Sequence, residues 1–124
     1  MKKVTVFMMM LVFITSAGFA KTLSDYDQNL IQCLKDDNVG IRSSAAQLLG
    51  ERKVVQAVEP LINMLQNEKD FKVRIMAAIA LHKIGDEKAL PVLKKVARTD
   101  RNRTARRVIS AIVEDLENQK LAKL

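Results

Sequence analysis

An all-α chain, built as a short α-solenoid of about three two-helix repeats, is predicted by three observations. The segment "LIQCL" at 30–34 nearly returns as "LINML" at 61–65. Arginine recurs at Arg42, Arg74 and Arg106, 32 residues apart in both steps, in matching surroundings. No stretch of useful length alternates apolar and polar residues with period two, so no sheet is expected. Self-similarity at a fixed period marks stacked supersecondary units that share one core.

The first twenty residues, "MKKVTVFMMMLVFITSAGFA", stand apart from the repeats. Lys2 and Lys3 form a basic start, Val4 to Ile14 an apolar run, and Gly18 and Ala20 the small residues of a cleavage site. The run is short for a membrane-spanning helix, which needs about 20 residues. A signal peptide over 1–20 and a repeat domain over 21–124 are therefore expected, with periplasmic or secreted protein after cleavage near Ala20. A retained membrane anchor is the alternative. Cys33 is the single cysteine, so no intrachain disulfide forms, and its apolar surroundings predict a buried, inert thiol.

Each repeat reads as two helices. Leu30, Cys33 and Leu34, then Leu61, Ile62 and Leu65, then Leu93, Val96 and Ala97 keep the i, i+3, i+4 spacing of a first helix. The second helix carries the arginine. In the middle repeat Val73, Ala77, Ala80, Leu81 and Ile84 make its apolar stripe, and similar residues flank Arg42 and Arg106. Asn38, Asp70 and Asn102 stand where a side chain caps the helix start. Gly85 suits the residue after a helix end, and Asp86 the cap of the next helix. Such a unit cannot bury its apolar face alone, and about three stacked units are the practical minimum. The polar segments "KTLSDYDQN" and "ENQKLAKL" suit the two ends.

These residues resemble the short HEAT-like repeats first named from phycobilin lyases, with a motif of the form D-x-x-x-x-V-R-x-x-A-A-x-x-L-G. "DDNVGIRSSAAQLLG" carries most of it, "VRIMAAIALHKIGD" much of it with His82 where Gly is usual, and "ARRVISAIVE" mainly the arginine and spacing. The resemblance implies the solenoid fold, and the Lys2-Lys3 start, which resembles a bacterial signal, makes the expected form an exported bacterial one. An acidic residue lies shortly before each arginine: Asp36 and Asp37 before Arg42, Glu68 and Asp70 before Arg74, and Asp100 before Arg106. The resemblance implies that such pairs tie a loop to the next helix, so the arginines and these acids are expected to be structural rather than an anion-binding ladder.

Catalysis has little to work with. One His, one Cys and no His-Glu pair leave neither a His-based triad away from His82 nor the His-Glu metal sites of HEAT-type hydroxylases. The acidic pairs Asp36-Asp37, Asp86-Glu87 and Glu114-Asp115 fall at turns and helix ends, where capping explains them. No catalytic residue, metal, cofactor or small-molecule substrate is expected.

The formal net charge of +7 is unevenly spread: residues 21–68 carry −2 and residues 69–124 carry +7. Lys94, Lys95, Arg98, Arg101, Arg103, Arg106 and Arg107 face Asp100 alone in their stretch. No aromatic residue interleaves with them for base stacking, so nucleic acid is not the expected target. An acidic protein or a membrane surface fits the charge, and a plain solvated face is the alternative. In the register of the arginines, Ser43, Ile75 and Arg107 are equivalent, as are Gln47, Ile79 and Ala111. The family resemblance implies polar residues in both columns, so Ile75 and Ile79, continued by Lys83, are expected either to line an exposed apolar strip or to pack inside the stack. The expected partner surface comprises Ile75, Ile79, Lys83, Arg98, Arg101, Arg103 and Arg107. The expected function is a non-enzymatic protein-interaction or scaffold module in the cell envelope. Electrostatic binding of lipid headgroups or an envelope polyanion is the alternative, and a lyase-type enzyme a more distant one.

Overall fold

The second helix of each repeat starts where a capping side chain stands. The computed structural model describes residues 23–124, and the expected signal segment, 1–20, lies outside the described residues. Six α-helices follow: α1 (Asp25–Cys33), α2 (Val39–Glu51), α3 (Val58–Asn67), α4 (Phe71–Ile84), α5 (Ala89–Thr99) and α6 (Arg103–Ala122), with a 3-10 turn at Val55–Ala57 leading into α3. No strand occurs among the described residues. The Asn38 side chain accepts the Gly40 and Ile41 N–H groups, Asp70 that of Lys72, and Asn102 that of Ala105. Each satisfies donors that the helix itself leaves open. Asp86 accepts from Lys88, one turn ahead of α5, so it orders the approach to that helix rather than its first turn.

The helices pair as α1 with α2, α3 with α4 and α5 with α6. The second helices also pack on one another, α2 on α4 and α4 on α6, whereas α3 meets α5 only lightly. Close packing on one side and splaying on the other make α2, α4 and α6 the inner layer of a curved stack. Small residues permit the close approach: Ala45, Ala46, Ala77, Ala78, Ala80 and Ala105 are buried along this layer. At the tightest point a Cβ on Gly50 would stand 2.7 Å from the Ala80 Cα. Leu49, Leu61, Leu65, Leu81, Leu93 and Ile109 fill the core between layers. Cys33 departs from expectation. It is half-buried, because it packs against the core from the open edge of repeat one.

The two glycines that look alike in the motif do different work. Gly50 lies inside α2 and serves helix contact, while Gly85 ends α4 with φ 73° and donates its N–H to the Leu81 carbonyl. The residue 32 positions before Gly85 is Lys53, and it holds the same left-handed conformation with φ 51°. An L-residue pays for that conformation through its Cβ, and glycine does not. Lys53→Gly is therefore expected to raise stability by up to about 1 kcal/mol, seen as a higher thermal midpoint. Gly50→Ala should lower it by about 1–3 kcal/mol, because α2 and α4 must part to admit the methyl group.

Candidate functional site

The arginine column forms a set of clamps. Arg74 is buried at 7% exposure, and its guanidinium is used on two edges. Nη1 donates to the Glu68 and Lys69 carbonyls at 2.9 and 3.0 Å, in the loop just before its own helix. Nε and Nη2 grip the Asp100 carboxylate side-on at 2.7 and 2.9 Å, in the loop of the following repeat. Arg42 repeats the arrangement one unit earlier. Its Nη1 takes the Asp36 and Asp37 carbonyls, and its Nε and Nη2 hold Glu68, each bond at 2.9 to 3.0 Å. Planar, bidentate, charge-assisted bonds of this kind are among the strongest a side chain makes.

This geometry changes the roles expected of the acids. Asp36 and Asp70 do not hold an arginine through their carboxylates. Asp36 accepts the Asn38 N–H at 2.8 Å and lends only its carbonyl to Arg42, while Asp70 caps α4. The gripping carboxylates, Glu68 and Asp100, come from one repeat further on, 26 residues after their arginines. The Arg42 hydrogen bonds hold Glu68 below the usual carboxylate range, and the Arg74 hydrogen bonds do the same for Asp100.

Arg106 occupies the third position of the column with half its bonds. Nη1 donates to the Asp100 carbonyl at 2.6 Å and to the Arg101 carbonyl at 3.3 Å. Among the described residues no carboxylate meets its Nε and Nη2 edge. Arg106 lines a shallow groove of about 690 Å³ together with Arg98, Arg103, Arg107, Ser110 and Glu114. Arg98, Arg103 and Arg107 are exposed, and none is ion-paired among the described residues.

The run of basic residues, continuous in the chain, divides in space. Arg101 lies in a separate groove with Lys95, Arg74 and Asp100, and Lys94 pairs with Glu117 on α6. Ile75 and Ile79 are both half-buried and pack against the core, between the exposed strip and the interior position expected of them. Lys83 is exposed and approaches Glu51 of α2 at 4.0 Å. His82 sets its Nε2 2.6 Å from Asp115 on α6, bridging the second and third repeats. Among the described residues no three His, Cys, Asp or Glu side chains come together to hold a metal ion. The residues that the sequence reading left out, Arg52 and its partners, tie the first pair of helices: Arg52 bonds Asp27 at 2.6 Å and lies 4.9 Å from the Tyr26 ring centre. The only signal of it in the sequence is an Arg 25 positions beyond an Asp, which is no signal at all.

Comparison with known proteins adds two findings. The family model described as HEAT repeats matches residues 28–113. The chain is also similar to a deoxyhypusine hydroxylase of Candida albicans, 31% identical over 97 residues, which is 76% of this chain and 30% of that protein. The chain thus spans under a third of the length of that relative.

Removing the Arg74 side chain strands a buried Asp100 carboxylate, which is 2% exposed. Arg74→Ala should cost about 3 kcal/mol or more in a denaturant titration, whereas Arg106→Ala, which strands no carboxylate, should cost far less. Glu68 and Asp100 have folded-state pKa values below those of the unfolded chain. Their stabilisation is therefore complete above the unfolded carboxylate range, roughly pH 4, and is lost as pH falls through the lower folded values. Asp100→Asn should flatten this acid limb in thermal midpoints measured from pH 7 downward.

Proposed function

Because the chain belongs to the HEAT repeat family, we propose that it is a non-enzymatic interaction module of the cell envelope, binding another protein through its basic third repeat. The observation that carries this is the groove of Arg98, Arg103, Arg106 and Arg107, three of them exposed and without carboxylate partners. Arginines without carboxylate partners, gathered in one groove from α5 and α6, favour a ligand of opposite charge, and they speed its approach. The half-buried Ile75 and Ile79, on the adjacent inner helix, add apolar edge to the same layer. Hydroxylase chemistry, suggested by the similarity to a much longer enzyme, has little support in residues: the single histidine is engaged with Asp115. Export rests on the residues of the first twenty positions, "MKKVTVFMMMLVFITSAGFA". No helix among the described residues is long and apolar enough to cross a membrane.

Binding to an anionic surface would draw on the same arginines. Vesicles separate the two readings: binding to anionic vesicles, weakening steeply between low and physiological ionic strength, without a protein crosslink would favour the surface. Reversing Arg98, Arg103 and Arg107 to Glu should leave helicity intact and reduce crosslinking of the tagged protein to its envelope partner about tenfold or more. Unchanged crosslinking would reduce the groove to a solvated face. N-terminal sequencing of the protein from the envelope fraction should read Lys21 first. Intact Met1 on cytoplasmic protein would overturn the compartment.

A further inference from the structure

Two clamps are complete and one is not. Arg42 and Arg74 show what the column is shaped to hold: with Nη1 fixed by two loop carbonyls, the Nε and Nη2 edge presents two parallel donors, and in both cases a carboxylate fills them. Arg106 has its Nη1 fixed in the same way by the Asp100 and Arg101 carbonyls. Its guanidinium is therefore oriented before any ligand arrives, and the entropy of orienting it is already spent. We propose that the Nε and Nη2 edge of Arg106 is a carboxylate receptor, filled by an Asp or Glu side chain from an acidic segment of a partner protein. This deepens the interaction role proposed above and rests on it.

Charge selects this occupant. Arg98, Arg103 and Arg107 line the same groove as Arg106, with Glu114 the one acid among them, so further carboxylates beside the anchoring one find arginines within the groove. A second copy of this chain is the less suitable occupant. Asp36 is the equivalent of Glu68 and Asp100 in the repeat register, with the same bond from the N–H two residues on. Stacking a copy by that register, however, would set Glu114 near Glu51 and Leu48 of the copy, as the contacts of His82 with Asp115 and Gly50 with Ala80 indicate. The third repeat also has Ser110, exposed, where the first two have the fully buried Ala46 and Ala78. A polar end-face of this kind suits an extended acidic segment better than another repeat.

The test titrates the full chain with an acetylated hexaglutamate peptide and, as control, hexaglutamine. Arg106→Lys keeps the charge but loses the two-pronged donor, and should weaken hexaglutamate binding about tenfold, or 1.4 kcal/mol. Arg103→Lys and Arg107→Lys, which keep the charge at positions without a fixed guanidinium, should change it by less than about twofold. A direct readout avoids dependence on the variant's fold: the Arg106 Nε–H resonance should shift on adding hexaglutamate, while those of Arg42 and Arg74, already occupied, should not. Equal effects of all three lysine variants, or no selective shift at Arg106, would overturn the receptor while leaving a diffuse basic interaction surface standing. Self-association of the full chain that Asp36→Asn abolishes would overturn the choice of occupant. Failure of both hexaglutamate and native crosslinking would remove the interaction reading itself.

Discussion

A single guanidinium contact, made twice, sets the geometry of the stack. Arg74 binds the loop behind it through carbonyls and the loop ahead through Asp100, so three consecutive segments converge on one side chain. Loops between helices are ordinarily the mobile part of a repeat. Here the loops of Glu68 and Asp100 are held at both a backbone and a side-chain position, which lets the helices meet at a fixed distance. Apolar burial supplies most of the stabilisation, as the run of leucines from Leu49 to Leu93 shows. Burial alone, being non-directional, would leave the angle between repeats loose. The clamp supplies direction.

Helix contact and clamp depend on each other. Arg74 reaches Asp100 only because α4 and α6 lie close, and they lie close because their facing residues are small. Where the small residue gives way to a larger one, at His82, a hydrogen bond with Asp115 takes over the joint. At these equivalent positions the first joint is a close backbone approach, Gly50 on Ala80, and the second a pair of side chains reaching across. Contact between α2 and α4 is correspondingly more extensive than between α4 and α6.

Much of this was legible in the amino-acid sequence, because the features in question are periodic. The 32-residue recurrence of arginine, the capping residues and the apolar spacing all follow from local chemistry, and six helices stand at the expected places. What was not legible depends on which repeat lies beside which. The acids Glu68 and Asp100 precede Arg74 and Arg106 in the chain, so proximity suggested that each serves the arginine after it. Stacking assigns each carboxylate to the arginine before it and leaves the following arginine only its carbonyl. The basic run divides for the same reason: Arg101, in the loop, lines a groove against the second repeat, while Arg103 and Arg107 line another with Arg98 and Arg106. Ile75 and Ile79 resisted a binary reading because the edge of a curved helical layer is neither surface nor interior. Lys53 gave no sign of its left-handed backbone, since lysine has no preference for it.

The offset of 26 residues between each arginine and the carboxylate it grips has a consequence for how such a chain can grow. Donor and acceptor belong to neighbouring units of 32, so duplication of one whole unit inserts a new arginine and a new acid together. Every existing grip survives, and the newcomer is gripped on both sides from the outset. An insertion that lengthened a helix between an arginine and the carboxylate 26 residues on would instead shift one against the other. Tandem copying thus lengthens the stack without breaking a clamp, and a 32-residue ruler is written into the bonds themselves.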